Sequence, residues 1–344
     1  MKKTMKRLLC ATLAVGMVIG GAACKKDPIK ENPGTTPNPV ATDAPKAELK
    51  TIGICQYADH AALNQSREGI IKGLEEGGLV EGTDYVVDYQ NAGLDSAKAE
   101  TIAKDFATKE VDLICGIATN AATACMTATE GKNIPVIYAA VTDPEGAGLS
   151  GDNITGTSDE LRIDAQLKMI RELQPGASTI GIVYSTNEPN ASYAIGEYSL
   201  LGMEHGFMIR TIGVSSAEEV SRAVDTLISL GVDCFSNVSD NGIASVLASV
   251  LEQTGQYGIP VYGCDKAQVE MGCVASAAID YFELGRETGT MMAKVLKGEE
   301  EISTMQPKTI YKYNLYINTK AISSTALFVS DKIMKTAIDV SAEQ

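Results

Sequence analysis

Hydrophobic positions in this chain fall mostly in short unbroken runs, separated by stretches of helical period. The run at 113–117, LICGI, is the plainest case. Five apolar or small residues with no polar alternation predict a strand buried on both faces, as in a parallel sheet. Ala118, Thr119 and Asn120 then predict a tight turn, and the Ala/Thr-rich stretch 121–130 a helix closed by Gly131. The next strand, 134–141, is entered at Pro135. Upstream, 51–54 and 85–89 predict strands. The stretch 63–77 has Ile70, Ile71 and Leu74 on one helical face, and a helix capped by Asp95 or Ser96 runs to Lys109 with Ile102, Phe106 and Ala107 inward. Strand 153–158 and an amphipathic helix over 163–173 complete the first half.

The pattern then repeats. Thr179, Ile180, Gly181 and Ile182 match Thr51, Ile52, Gly53 and Ile54. Ser216 and Ala217 open a helix as Ser96 and Ala97 do, and Val232 and Asp233 enter a strand as Val111 and Asp112 do. Asp240 and Asn241 stand where Thr119 and Asn120 stood, and Ile259, Pro260 and Val261 match Ile134, Pro135 and Val136. Five landmarks in one order imply an internal duplication. Strands alternating with helices give parallel sheets covered on both faces. The expected fold is therefore α/β, two doubly wound parallel-sheet lobes. Strands at 273–279 and 309–317, a helix at 281–297 and a last helix at 323–340 remain, and these are expected to cross between lobes as a multi-strand hinge. The resulting boundaries put 50–160 plus 284–321 in lobe 1 and 161–283 plus 322–344 in lobe 2.

The N-terminus departs from this pattern. Lys2, Lys3, Lys6 and Arg7 precede an apolar stretch to Ala23, which is short for a membrane span and suits a signal peptide over 1–23. It ends Gly21, Ala22, Ala23, Cys24, which resembles a lipobox and implies lipid on Cys24 after cleavage, with Gly21 where that pattern prefers Leu. Residues 24–49, rich in Pro, Thr and Asn, predict a disordered tether. A lipid, a tether and a folded body describe a protein held at the outer face of a membrane.

Charge narrows the partners. The 344-residue chain carries a formal −15, and removing the signal takes away only positive charges. That argues against nucleic acid. The six cysteines of the body lie in apolar or small-residue runs, with no CxxC and no Cys/His cluster at metal spacing, so core packing is expected, no metal is implied, and a single disulfide stays open.

A doubly wound lobe presents its ligand face at the carboxyl ends of its strands. In the first lobe those ends carry Tyr57, His60, Asn91, Thr119, Asn120, Ala121 and Thr142. In the second they carry Glu188, Asn190, Asp240, Asn241 and Asp265. The two sets differ in kind. Helix N-termini and hydroxyls in the first suit a carboxylate, and the acids of the second suit an ammonium. A zwitterion fits both, and Tyr57, Tyr138, Tyr193 and Tyr262 are placed to pack an apolar or aromatic side chain. The literal GxGxxG at 146–151 follows no strand and opens no helix, so no dinucleotide cofactor is expected. No GxxxxGK[ST] or GxSxG occurs, and His60 beside Asp59 implies no nucleophile, so an enzyme is not expected.

Several of these pieces together resemble a family. They are Ile52 to Gln56 with His60 to Leu63, Asn91 and Ala92, Ile117 to Thr119, Val141 to Pro144, Gly156 to Asp159, Tyr184 with Glu188 and Asn190, Asp240 and Asn241, and Gly285. In this order they resemble the substrate-binding lipoproteins of bacterial ABC transporters, in the branch linked to tryptophan, tyrosine and related amino acids. The resemblance implies a type I periplasmic-binding-protein-like fold, an amino acid captured between the lobes, and an ABC permease as partner. A ligand-presenting sensor, or a site for another small polar solute such as a sugar or nucleoside, is the alternative. Asn120 stands where the family commonly has Pro, Ser239 where it often has Thr, and Ala191 where it commonly has Ser. The loss at Ala191 removes a potential carboxylate donor.

Overall fold

In the computed structural model, which describes residues 49–325 and 327–343, the apolar runs become the central strands of two sheets. The signal peptide, Cys24 and the tether up to residue 48 lie outside the described residues. The first lobe opens with β1 (Lys50–Gln56), α1 (Ala61–Glu76), β2 (Tyr85–Asn91), α2 (Ser96–Lys109), β3 (Leu113–Ile117), α3 (Thr119–Ala128), β4 (Val136–Ala139) and β5 (Ile154–Ser158). The chain crosses to the second lobe for α4 (Ile163–Leu173), β6 (Thr179–Ser185), α5 (Pro189–Glu204), β7 (Met208–Val214), α6 (Ala217–Ser229) and β8 (Cys234–Ser236). There follow α7 (Asn241–Ser245), α8 (Leu247–Gly255), β9 (Val261–Tyr262), α9 (Lys266–Met271) and β10 (Ala275–Ala278). It returns to the first lobe for α10 (Tyr281–Leu296) and β11 (Lys308–Thr309). It ends in the second with β12 (Asn314–Ile317), α11 (Thr319–Ser323), α12 (Asp331–Thr336) and β13 (Ile338–Asp339).

The first sheet runs β11-β5-β4-β3-β1-β2, all parallel. The second runs β7-β6-β8-β9, also parallel. Hydrogen bonds from Val274 N–H to Val261 O and from Gly263 N–H to Ala275 O carry it on into β10-β12-β13. Alternation along β6 divides the second lobe's core. Ile180 and Ile182 pack with Leu167, Ile170 and Tyr198 on one face, while Val183 packs with Val224, Leu227 and Leu247 on the other.

The duplicated landmarks meet each other inside each lobe. The Asp112 carboxylate accepts the Thr51 N–H at 2.7 Å, and the Asp233 carboxylate accepts the Thr179 N–H at 2.8 Å. Each Asp thus ties the start of its lobe's third strand to the start of its first. The two halves repeat a joint as well as a sequence.

The C-terminal part differs from expectation in two places. The predicted strand over 309–317 breaks, because 310–313 is the passage between lobes. Ile310 N–H still bonds Ser158 O in the first lobe, whereas Asn314 pairs with Ala278 in the second. The second lobe therefore resumes at Asn314, well before the expected boundary at 321–322. The predicted helix over 323–340 is instead α11, α12 and β13. Phe328 N–H bonds Leu173 O on α4, and Ser330 caps a new helix through Ile333 N–H.

α10 is fixed to the first lobe by close contact with α1. A Cβ at Gly285 would stand 1.9 Å from Ser66 O, and one at Gly73 would stand 2.1 Å from Arg286 O. Backbone touches backbone here, which only glycine allows. The six body cysteines are all buried and free; burial pushes the Cys115, Cys234, Cys264 and Cys273 thiols up, and a hydrogen bond with Cys55, then burial, does the same for Cys125, as expected for inert core residues. Among the described residues no helix is long and apolar enough to cross a membrane.

Candidate ligand-binding site

β3 is buried along its whole length and ends at the cleft. Ala118 then turns with φ 75°, a conformation that L-residues other than glycine rarely take, and α3 begins at once at Thr119. The expected turn is thus one residue, not three. The helix lies so close to β3 that a Cβ at Gly116 would meet Ala122 Cα at 2.6 Å. Ala140, at the end of β4, has φ 55° and lines the same cavity as Ala118. Strained backbone at two adjacent strand ends is the kind of cost that binding sites carry. The first bond within α3 runs from Ala122 N–H to Ala118 O, and no side chain caps the helix. The N–H groups of residues 119–121 are therefore left for another acceptor. Thr119 is 3% exposed, and its buried Oγ1 has no hydrogen-bond partner among the described residues. Together these form a ready seat for an anion.

The same cavity is acidic on its other walls. Asp159, just past β5, accepts the Thr142 hydroxyl on Oδ1 at 2.9 Å and the Tyr281 hydroxyl on Oδ2 at 2.6 Å. Asp265 caps α9 by accepting the Gln268 N–H at 2.8 Å. Both are 4% exposed. Burial holds both carboxyls above their usual range, against the hydrogen bonds that favour the charged form. Among the described residues no Lys or Arg lines the cavity. Two buried carboxylates with no Lys or Arg beside them, and His60 acting on Asp265 alone, suit a cation brought by a ligand.

Asp240 and Glu188 do different work. Asp240 accepts the Ser185 N–H and hydroxyl and the Ile243 N–H, so its oxygens are used inside its own lobe. Glu188 accepts the Asn241 N–H, the Asn241 side-chain amide, the Gly242 N–H and the Asn190 amide. With its amide nitrogen held, Asn241 turns Oδ1 to the other lobe, where it bonds His60 Nε2 at 2.9 Å. Glu188 thus aims a residue that bridges the lobes.

The structure gathers His60, Thr119, Thr142, Asn190, Asp240, Asn241 and Asp265 around the one cavity. Tyr57 and Glu188 line a neighbouring cavity. Asn91 does not reach either cavity, because its Oδ1 accepts the Gly93 N–H in a local turn. Asn120 faces a surface groove beside Pro189, and Ala121 is buried in the first-lobe core. Of the four tyrosines expected to pack a side chain, none lines the central cavity, and Tyr138 and Tyr262 are core residues. Its aromatic wall is Tyr281, which with Asp159, Cys264 and Gln268 was missed among the site residues. The strand-end rule had the signal for two of these. Asp159 follows the fifth strand of the first lobe, one strand further than the rule was carried there, and Tyr281 is the neighbour of Asp280, which the rule places at the end of the fifth strand of the second.

The sequence model of one family, ABC transporter substrate binding protein, matches residues 51–341. The chain is 30% identical over 329 residues to the tyrosine-binding protein of Clostridioides difficile (strain R20291), covering 94% of this chain and 92% of that one. Among solved structures, an ABC domain in complex with L-Trp from Streptococcus pneumonia is 32% identical, with TM-score 0.80 over 85% of this chain and 99% of that one. A ligand-free, open substrate binding protein with adhesive properties from Clostridium difficile is 31% identical with the same coverage, and its TM-score is 0.65. At nearly equal identity, this chain superposes better on the complex than on the open form. A solute binding protein from Bacillus halodurans with bound myo-inositol, 16% identical with TM-score 0.61 over 82% of this chain and 99% of that one, shares the fold alone.

Proposed function

Because the chain belongs to the ABC transporter substrate-binding protein family, working with an ABC transporter on a small ligand, we propose that it captures an amino acid with an aromatic or large apolar side chain and delivers it to a membrane permease for import. The observation that carries this reading is the opposed pair of poles in one cavity. The uncapped start of α3 with the unpartnered Thr119 hydroxyl takes the carboxylate. Asp159 and Asp265 take the ammonium. Leu63, Ala62, Ala244 and the Tyr281 ring supply apolar wall for the ligand's side chain. The relatives named for tyrosine and bound to L-Trp support the aromatic assignment. In this reading the protein performs no chemical step. Cys24 carries the lipid, and the acidic body works outside the cytoplasm on the tether.

A thermal-shift screen of the twenty amino acids tests the ligand class. L-tyrosine or L-tryptophan is expected to raise the melting temperature. Thr119→Val, which removes one buried hydroxyl donor, is expected to weaken that ligand about 10- to 150-fold, the equivalent of about 1.5–3 kcal/mol for a hydrogen bond to a charged group. A screen with no amino acid hit would overturn the reading.

A further inference from the structure

Asp159 and Asp265 belong to different lobes. Asp159 is held by Thr142 and Tyr281, both of the first lobe, and moves with it. Asp265 is held by the N-terminus of α9 and by the Cys264 thiol, and moves with the second. Closing the cleft brings the two carboxylates into one buried cavity, where each is 4% exposed. We propose that this pair makes closure conditional on a cation, so that the ligand's ammonium is selected at the closing step and not only at docking.

The physical balance is between like charges and the contacts that join the lobes across the cleft. Two carboxylates moved together out of water repel, and the repulsion grows as the surrounding dielectric falls. The charge of Asp265 acts on Asp159 in the same direction as burial. The other titratable groups facing them are Tyr281 and Cys264, both held neutral well above their usual range, and His60, which acts on Asp265 from the first lobe. Asp240 lines the same cavity and is also buried, but its oxygens are held by Ser185 and Ile243 in its own lobe. In favour of closure stands the His60–Asn241 bond across the cleft. An ammonium between the two acids turns the opposing term into an attractive one. A ligand with the same side chain and carboxylate but no amine has its seat at α3 and still leaves the repulsion in place. The gate itself is a property of the two acids. Only the naming of its cation as an amino acid's ammonium rests on the proposed function.

Small-angle scattering of the ligand-stripped protein tests this. Wild type is expected to be extended, and Asp159→Asn and Asp265→Asn each to contract toward the closed radius without any ligand. Asn can still cap α9 and still accept one hydroxyl at position 159, and a wild-type circular dichroism spectrum checks the fold of each variant. A wild type already closed when stripped, or folded variants as extended as wild type, would overturn the gate whatever the ligand is. A second arm uses wild type alone, with saturating L-tyrosine against 3-(4-hydroxyphenyl)propionate. Contraction with the amino acid only supports the gate, and equal contraction with the des-amino acid overturns it. Failure of L-tyrosine to bind would count against the proposed ligand, while the unliganded variants would still decide the gate.

Discussion

Glu188 shows how far residue type alone can lead. An acid at a strand end in an acidic lobe reads as an ammonium ligand. In the structure it faces inward and receives four N–H groups from Asn190, Asn241 and Gly242. Those donors favour the charged form, yet burial, with Asp240 beside it, outweighs them and lifts the carboxyl from 4.5 to about 7. A carboxyl raised by folding contributes stability that is fully present below its unfolded value and is lost as pH rises through its folded one. The window here runs from near 4.5 to about 7. The melting temperature is expected to carry a downward slope with pH across that range, and Glu188→Gln, neutral throughout, is expected to flatten it. An unchanged slope in the variant would contradict the assignment. Thr119 was legible for the opposite reason. It stands at a helix start after a buried strand, and that local pattern already fixes where its hydroxyl lies. The role of Asp159 was not legible, since it depends on Thr142 and Tyr281 arriving from 17 and 122 residues away.

Between elements, contact geometry decides what a substitution does. Gly285 on α10 and Gly196 on α5 are both helical glycines, and the sequence treats them alike. A Cβ at Gly285 would sit 1.9 Å from the Ser66 carbonyl oxygen, whereas one at Gly196 would meet nothing within 4 Å. Gly285→Ala is expected to destabilise by about 1–3 kcal/mol or more through overpacking against backbone. Gly196→Ala is expected to stabilise by about 0.5–1 kcal/mol through helix propensity and a less flexible unfolded chain. Chemical denaturation of the two variants should move in opposite directions, and a common sign would count against the α1–α10 contact. The elements of the two duplicated halves could be placed from the sequence because each repeats its strand starts together with the aspartate that ties them. The last third could not. Its apolar residues between 323 and 340 have a spacing that fits one helix, but the chain spends Phe328 N–H on α4 and restarts at Ser330. Whether such a run forms one helix depends on a partner from another part of the chain.

The whole molecule is two lobes in contact. His60 and Asn241 bond across the cleft, and the chain superposes more closely on the L-Trp complex than on the open, ligand-free relative. The lobe architecture follows from repeat and alternation and could be read from the sequence. The site divides less evenly. The sequence indicated a carboxylate pole in the first lobe and an ammonium pole in the second. The acids that face each other across the cavity are one from each lobe, because Asp240 and Glu188 are spent on holding their own lobe together. In the proposed reading the ammonium pole therefore forms between the lobes. A crystal structure of the protein with its amino acid bound tests this most directly. The account predicts the ligand's carboxylate on the Thr119 hydroxyl and the N–H groups of residues 119–121, with its ammonium within hydrogen-bond distance of both Asp159 and Asp265. A ligand bound in the reverse orientation, or with its ammonium on Asp240 and Glu188, would contradict it.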